Sequence, residues 1–242
     1  MAKQMEQSEI LFQRYCEQQG YDFNRIDESR ELGVRSPDFS VSVKGQKIIV
    51  EVKEITANEE EIKLWRETRS GKVVVHGREP GKRARKHVED AVGQLRPYAE
   101  KNIPTVVVLY DNIFVDGLRP YPFIDLFGSL GPYDIDVALF GLQTVNLRIH
   151  PDGNTESLGD GRNRRRKVHD RECISAVSVL YEHPDNKSLF MVTYHNFFAR
   201  TSLSVSVFPE TVDRHFIKPK HPDLCPGIWT VQPTRSSDAA IL

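Results

Sequence analysis

Three charged side chains stand where the sequence otherwise reads as sheet. In residues 36–54, SPDFSVSVKGQKIIVEVKE, Asp38, Glu51 and Lys53 interrupt two runs of β-branched and aromatic residues. A charge taken out of water is costly unless it is paired or coordinates a metal. Phe39, Val41 and Val43 alternate with Asp38, Ser40 and Ser42, and Ile48, Val50 and Val52 alternate with Lys47, Ile49, Glu51 and Lys53. This period of two predicts a hairpin with one apolar and one mostly polar face. Lys44-Gly45 supplies a two-residue turn, because Gly accepts positive φ. In that register Val43 faces Gln46 and Asp38 lies opposite Glu51. Directly opposed residues have Cβ atoms about 4.5–5.5 Å apart. Two carboxylates that close repel unless a proton or a cation sits between them. A hard divalent ion with oxygen ligands, Mg²⁺ above all, meets that need. Lys53 projects from the same face, next to that position, where it can hold an anion or orient a water. The set suits metal-assisted attack on a phosphodiester. The plain alternative is a hairpin whose wet face carries a few charges.

The elements around the hairpin must hold these groups in place. Upstream, SEILFQRYCEQQGYDFNRI carries Ile10, Leu11, Phe12, Tyr15 and Cys16 at helical spacing. Ser8 is the expected N-cap and Gly20 the stop, with a strand over 21–26. Residues 56–70 read as helical without a clean apolar face and begin an insertion that runs to residue 82. Over 84–102, Val88, Ala91, Val92, Leu95, Tyr98 and Ala99 share one helical face, with Pro97 an expected kink. IPTVVVLYD, residues 103–111, is a continuous run of the kind that makes a central, fully buried strand.

Pro37-Asp38 followed by Glu51-Val52-Lys53 resembles the PD-(D/E)xK nuclease superfamily. The resemblance spans residues 6–112, a little under half of the chain. It implies an α/β (α+β) fold with a restriction-endonuclease-like core: helix, strand, strand, strand, helix, strand around a central mixed sheet. It implies Asp38, Glu51 and the Val52 carbonyl as metal ligands, with Lys53 stabilising charge or placing the attacking water. The spacing from Glu9 to Gly20 is similar to that in archaeal Holliday-junction resolvases, which implies Glu9 as a further metal-linked carboxylate and Glu6 as its substitute. QLRPYA resembles the Gln-x-x-x-Tyr motif of RecB-like nucleases and puts Gln94 and Tyr98 at the border of the site. The implied cofactor is Mg²⁺, with Mn²⁺ as a substitute. The implied activity is nucleic-acid hydrolysis, with DNA as the expected substrate. Many relatives work as dimers, so a homodimer is an open expectation. The alternative is a catalytically silent nucleic-acid-binding or assembly protein on the same fold.

Composition bounds the rest. The chain has 242 residues, 28% of them charged, with a formal net charge of −1, so any affinity for nucleic acid must come from local patches. One patch holds Arg78, Lys82, Arg83, Arg85 and Lys86, and another Arg164, Arg165 and Arg166. Both are suited to phosphate contact, which is strong and not sequence-specific. No apolar run approaches the ~20 residues of a membrane helix. The N-terminal residues lack an apolar signal core. Three scattered cysteines support neither a disulfide framework nor a zinc site, so a cytoplasmic compartment is expected. No Gly-rich phosphate loop with a Lys is present, so no nucleotide cofactor is expected. Residues 1–115 are read as the nuclease-like core. Residues 116–242 are read as a β-rich extension packed on it as one globular unit, with strands at 134–141, 144–150, 174–181, 189–195 and 202–208 and a loop at 151–163.

Overall fold

The computed structural model describes residues 5–26, 36–73, 81–113, 130–141, 145–149, 155–160, 170–183, 186–208, 213–217 and 230–231. The first helix, α1 (Gln7–Gln19), buries Leu11, Phe12, Tyr15 and Cys16 and ends at Gly20, whose φ of 67° is left-handed. Its N-cap is Glu6 rather than Ser8, and the Ser8 amide donates to the Glu54 carboxylate at 3.0 Å. Three strands follow: β1 (Asp22–Arg25), β2 (Phe39–Val43) and β3 (Gln46–Thr56). β2 and β3 pair antiparallel with Val43 opposite Gln46 and Phe39 opposite Val50, the expected register. Lys44 and Gly45 turn the chain with φ of 49° and 78°, as a tight hairpin turn with positive φ at both central residues requires.

After β3 comes α2 (Glu59–Arg69), opened by a reciprocal capping box between Asn58 and Glu61. Then come α3 (Lys82–Ala99), with Pro97 in its last turn, and β4 (Thr105–Asn112). β4 lies parallel to β3, and its run from Thr105 to Tyr110 is fully buried. Up to this point the element order is helix, three strands, helix, strand, with α2 inserted.

The second half contributes α4 (Pro132–Phe140), a hairpin of β5 (Val145–Ile149) with β6 (Thr155–Asp160), and strands β7 (Ala176–Glu182), β8 (Leu189–His195), β9 (Arg214–Ile217) and β10 (Thr230–Val231). β7 pairs parallel with β4, so one eight-stranded mixed sheet runs in the order β1-β2-β3-β4-β7-β8-β9-β10.

Three expectations for this half differ from the structure. Residues 134–140 of the expected strand form helix, because Pro132 pre-sets the first helical turn and a short apolar run does not declare its period. Residues 155–160 form a strand within the expected loop. Residues 202–208 alternate but form turns, with Leu203, Val207 and Phe208 packed into the core beside α1.

Helices cover both faces of the central strands. One face joins α1 to Phe39, Val41, Val50, Val52, Val106 and Val108. The opposite face joins α3 and α4 to Ile49, Val107, Leu109, Val177 and Val179. Glu51 and Lys53 belong to the second face by strand alternation, beneath α3.

Candidate active site

The site forms where β2 starts and β3 runs on. β3 has eleven residues and β2 five, so beyond Val50 the β2 side of β3 has no strand partner. The Asp38 carboxylate takes that place, accepting the Val52 N–H at 2.8 Å. The Asp38 carbonyl meanwhile accepts the Ile26 N–H at 2.9 Å. In an extended strand the N–H and C=O of one residue point to the same side. The Val52 carbonyl therefore faces the Asp38 side.

Glu51 is 1% exposed. One carboxylate oxygen, Oε1, pairs with the Lys53 ammonium, and the other, Oε2, is buried with no hydrogen-bond partner. Burial, and then the neighbouring Asp38 charge, push the Glu51 carboxyl up to about 7, against the opposing pull of Lys53 and Gln94. Gln94 reaches down from α3: its amide donates to the Ser36 carbonyl at 3.1 Å and also contacts Glu51. Asp38, Glu51, Val52, Lys53 and Gln94 are thus brought together.

Glu9 is buried at 2% exposure and its Oε2 accepts from Arg25 at 3.0 Å. Among the described residues, no three His, Cys, Asp or Glu side chains are gathered as a metal-binding group. Two carboxylates and a carbonyl nevertheless suit Mg²⁺, which keeps several waters and is commonly held by one or two carboxylates plus substrate phosphate oxygens. The orphaned, buried Oε2 of Glu51 fits a cation on this spot. The bound ion would offset the cost of keeping that carboxylate charged.

A cavity of about 750 Å³ opens beside these residues, and its described walls are Glu6, Lys53, Glu54, His87, Asp90, Gly93 and Gln94. Glu6 therefore borders the cleft. His87, Asp90 and Gln94 recur at helical spacing on one face of α3, and that spacing is legible in the sequence. In the sequence His87 is the last member of the basic stretch 77–87, suited there to phosphate contact, while Glu54 and Asp90 carry no signal of their own.

The basic cluster divides. Lys82 and Lys86 are exposed at the start of α3. Arg83 forms a close ion pair with Glu61 of α2 and donates to the Thr56 carbonyl at 3.1 Å. Arg85 lies on the opposite flank, near Arg171, which donates to Glu89 at 2.7 Å. Tyr98 is half-buried and packs among the α3-side apolar residues. Arg78, Arg164, Arg165 and Arg166 lie outside the described residues. None of the helices, among the described residues, is long and apolar enough to cross a membrane.

No protein-family model matches this chain, and no curated protein matches it. A solved structure, that of Pyrococcus furiosus SfsA in complex with Ca²⁺, is similar at 16% identity with a TM-score of 0.25. The similarity covers 63% of this chain and 60% of that one, and a score of that size establishes no common fold.

Proposed function

We propose that this chain is a Mg²⁺-dependent nuclease of the PD-(D/E)xK type that hydrolyses nucleic acid, with DNA as its substrate. The observation that carries the reading is buried Glu51 beside the half-buried Asp38, with one Glu51 oxygen unpartnered and Lys53 bound to the other. The element order helix, strand, strand, strand, helix, strand supports it, with Asp38 directly before the second strand and Glu51 on the third.

Asp38, Glu51 and the Val52 carbonyl would hold the ion, and Glu9, tied to Arg25, would support the group from α1. When bound, such an ion polarises the phosphoryl oxygen and lowers the pKa of water. Lys53 presents a fixed positive charge beside the scissile phosphate. Electrostatic stabilisation of this kind, placed in advance of the reaction, is usually the largest single contribution to catalysis. Gln94 ties α3 to the loop before β2 and keeps Glu51 oriented. Lys82 and Lys86 stand exposed on the turn of α3 that leads to the cleft, placed to meet substrate phosphates.

The test is cleavage of linear, circular and branched DNA and of RNA, with Mg²⁺, Mn²⁺ or EDTA, by the chain and by its Asp38→Ala variant. The expected result is metal-dependent cleavage that Asp38→Ala lowers by at least about 10²-fold. Salt-dependent nucleic-acid binding without cleavage would favour the silent binding protein. Cleavage that survives the substitution would overturn the site.

A further inference from the structure

Hydrolysis needs a group that accepts a proton from the attacking water, and Lys53 is poorly placed for it. Its Nζ is engaged with the Glu51 carboxylate, and an ammonium held in an ion pair has no lone pair to offer. The other described groups lining the cleft are Glu6, Glu54, His87, Asp90 and Gln94. Glu54 is occupied, with Oε2 accepting the Ser8 amide at 3.0 Å and Oε1 accepting the Asn112 side chain at 2.7 Å. Glu6 and Asp90 are exposed at the mouth, where water competes for them. Gln94 does not take protons at any working pH.

His87 differs from all of these. It is half-buried on the α3 wall, close enough to Lys53 to feel its charge, and no hydrogen bond among the described residues engages its ring. We infer that His87 is the general base of the proposed nuclease reaction, accepting a proton from the water that attacks the phosphodiester. The inference rests on the nuclease reading of the site.

The surroundings favour the neutral, proton-accepting ring. Burial first, then Lys53, Lys86 and Arg83, lower the His87 pKa below its usual value, while Asp90 opposes them. Glu6 and Glu54 face the same cleft. At neutral pH the imidazole is therefore uncharged, with one nitrogen free to accept. As the water oxygen bonds to phosphorus, one water proton passes to that nitrogen. The bond from phosphorus to the leaving sugar oxygen breaks, and that oxygen takes a proton from solvent at the cleft mouth. The imidazolium then returns its proton to solvent, so the net change is addition of one water.

The experiment compares the full chain with its His87→Ala, His87→Gln and Asp38→Ala variants, folded state being checked by circular dichroism. Cleavage rates are measured with and without added imidazole, and oligonucleotide binding is measured in EDTA. His87→Ala should lower kcat by about 10²-fold or more, leave oligonucleotide binding in EDTA unchanged, and recover rate with imidazole. His87→Gln, which keeps a hydrogen-bonding side chain but no base, should stay slow. The inference is overturned if His87→Ala cleaves like the parent chain, if imidazole restores nothing, or if His87→Gln regains full rate. In each of those cases a parent chain that cleaves and an Asp38→Ala variant that does not leave the nuclease reading intact. A parent chain without metal-dependent cleavage removes the nuclease reading and this inference together.

Discussion

At the scale of the residue, Glu51 is the most informative group in the molecule. A carboxyl that is 1% exposed, beside another carboxylate, is held protonated to higher pH than a free glutamate, with its pKa pushed up to about 7. Only the ionised form ligates a cation, so proton and metal compete for it. Below about 7 the proton wins, and above it the carboxylate is open. Mn²⁺ affinity, measured by calorimetry without substrate, should therefore rise roughly tenfold between pH 6 and pH 8. Glu51→Gln should bind weakly at both. An affinity that is flat with pH in the parent chain would count against Glu51 as a ligand. The types and spacing of Asp38, Glu51 and Lys53 are legible in the sequence because a β-hairpin has a strict period. The role of Arg25 as the partner of Glu9 is not legible, since it depends on where a helix docks.

At the scale of the element, α3 carries the wall of the cleft, and its start is fixed by a close approach. Gly81 has φ of 67°, its amide donates to Asp134 Oδ1 at 2.7 Å, and a Cβ there would lie 2.7 Å from the Val137 Cβ. Gly81→Ala combines left-handed strain with a clash against α4. It should cost on the order of 2–4 kcal/mol in urea denaturation. Gly45→Ala also has positive φ but meets nothing within 4 Å, so it should cost only about 1 kcal/mol. Equal costs would mean that the contact between α3 and α4 does not constrain the helix start. The amphipathic pattern of α3 is readable in advance, whereas α4 is not. A helix buried on nearly every side looks like a buried strand in sequence.

At the scale of the whole molecule, the two halves share one sheet and several buried polar links, one of them through Asp213. Tyr15 of α1 donates to Asp213 Oδ2 at 2.6 Å, and Asp213 Oδ1 accepts the Met191 amide of β8 at 2.7 Å. Burial pushes the Asp213 carboxyl up to about 6, against the pull of those two hydrogen bonds. The folded state therefore holds this proton more tightly than the unfolded chain does. Between the ordinary value of 3.8 and about 6, unfolding releases a proton, so this group's contribution to stability grows as pH falls. Comparing the parent chain with Asp213→Asn by urea unfolding at pH 7 and pH 5 should show that increment only in the parent. An equal pH response in both would remove Asp213 from the account. Tyr15→Phe leaves the buried carboxylate one donor short and should cost about 1–3 kcal/mol at pH 7.

The sequence by itself determined the β2–β3 hairpin, its register, the buried character of β4 and the helices α1 and α3. These rest on local periods of two and 3.6 and on turn residues such as Lys44-Gly45, which act between near neighbours in the chain. The expected pairing of Asp38 with Glu51 lies one step past the last paired residues, Phe39 and Val50, and there Asp38 is near enough to act on the Glu51 charge. Tertiary structure decided what those residues meet. It placed α3 so that Gln94 contacts Glu51 and His87 lines the cleft, turned Arg83 toward Glu61, and joined β7 to β4. Each of these contacts joins groups far apart in sequence. Packing of the two sheet faces selects them, and no local pattern encodes that packing.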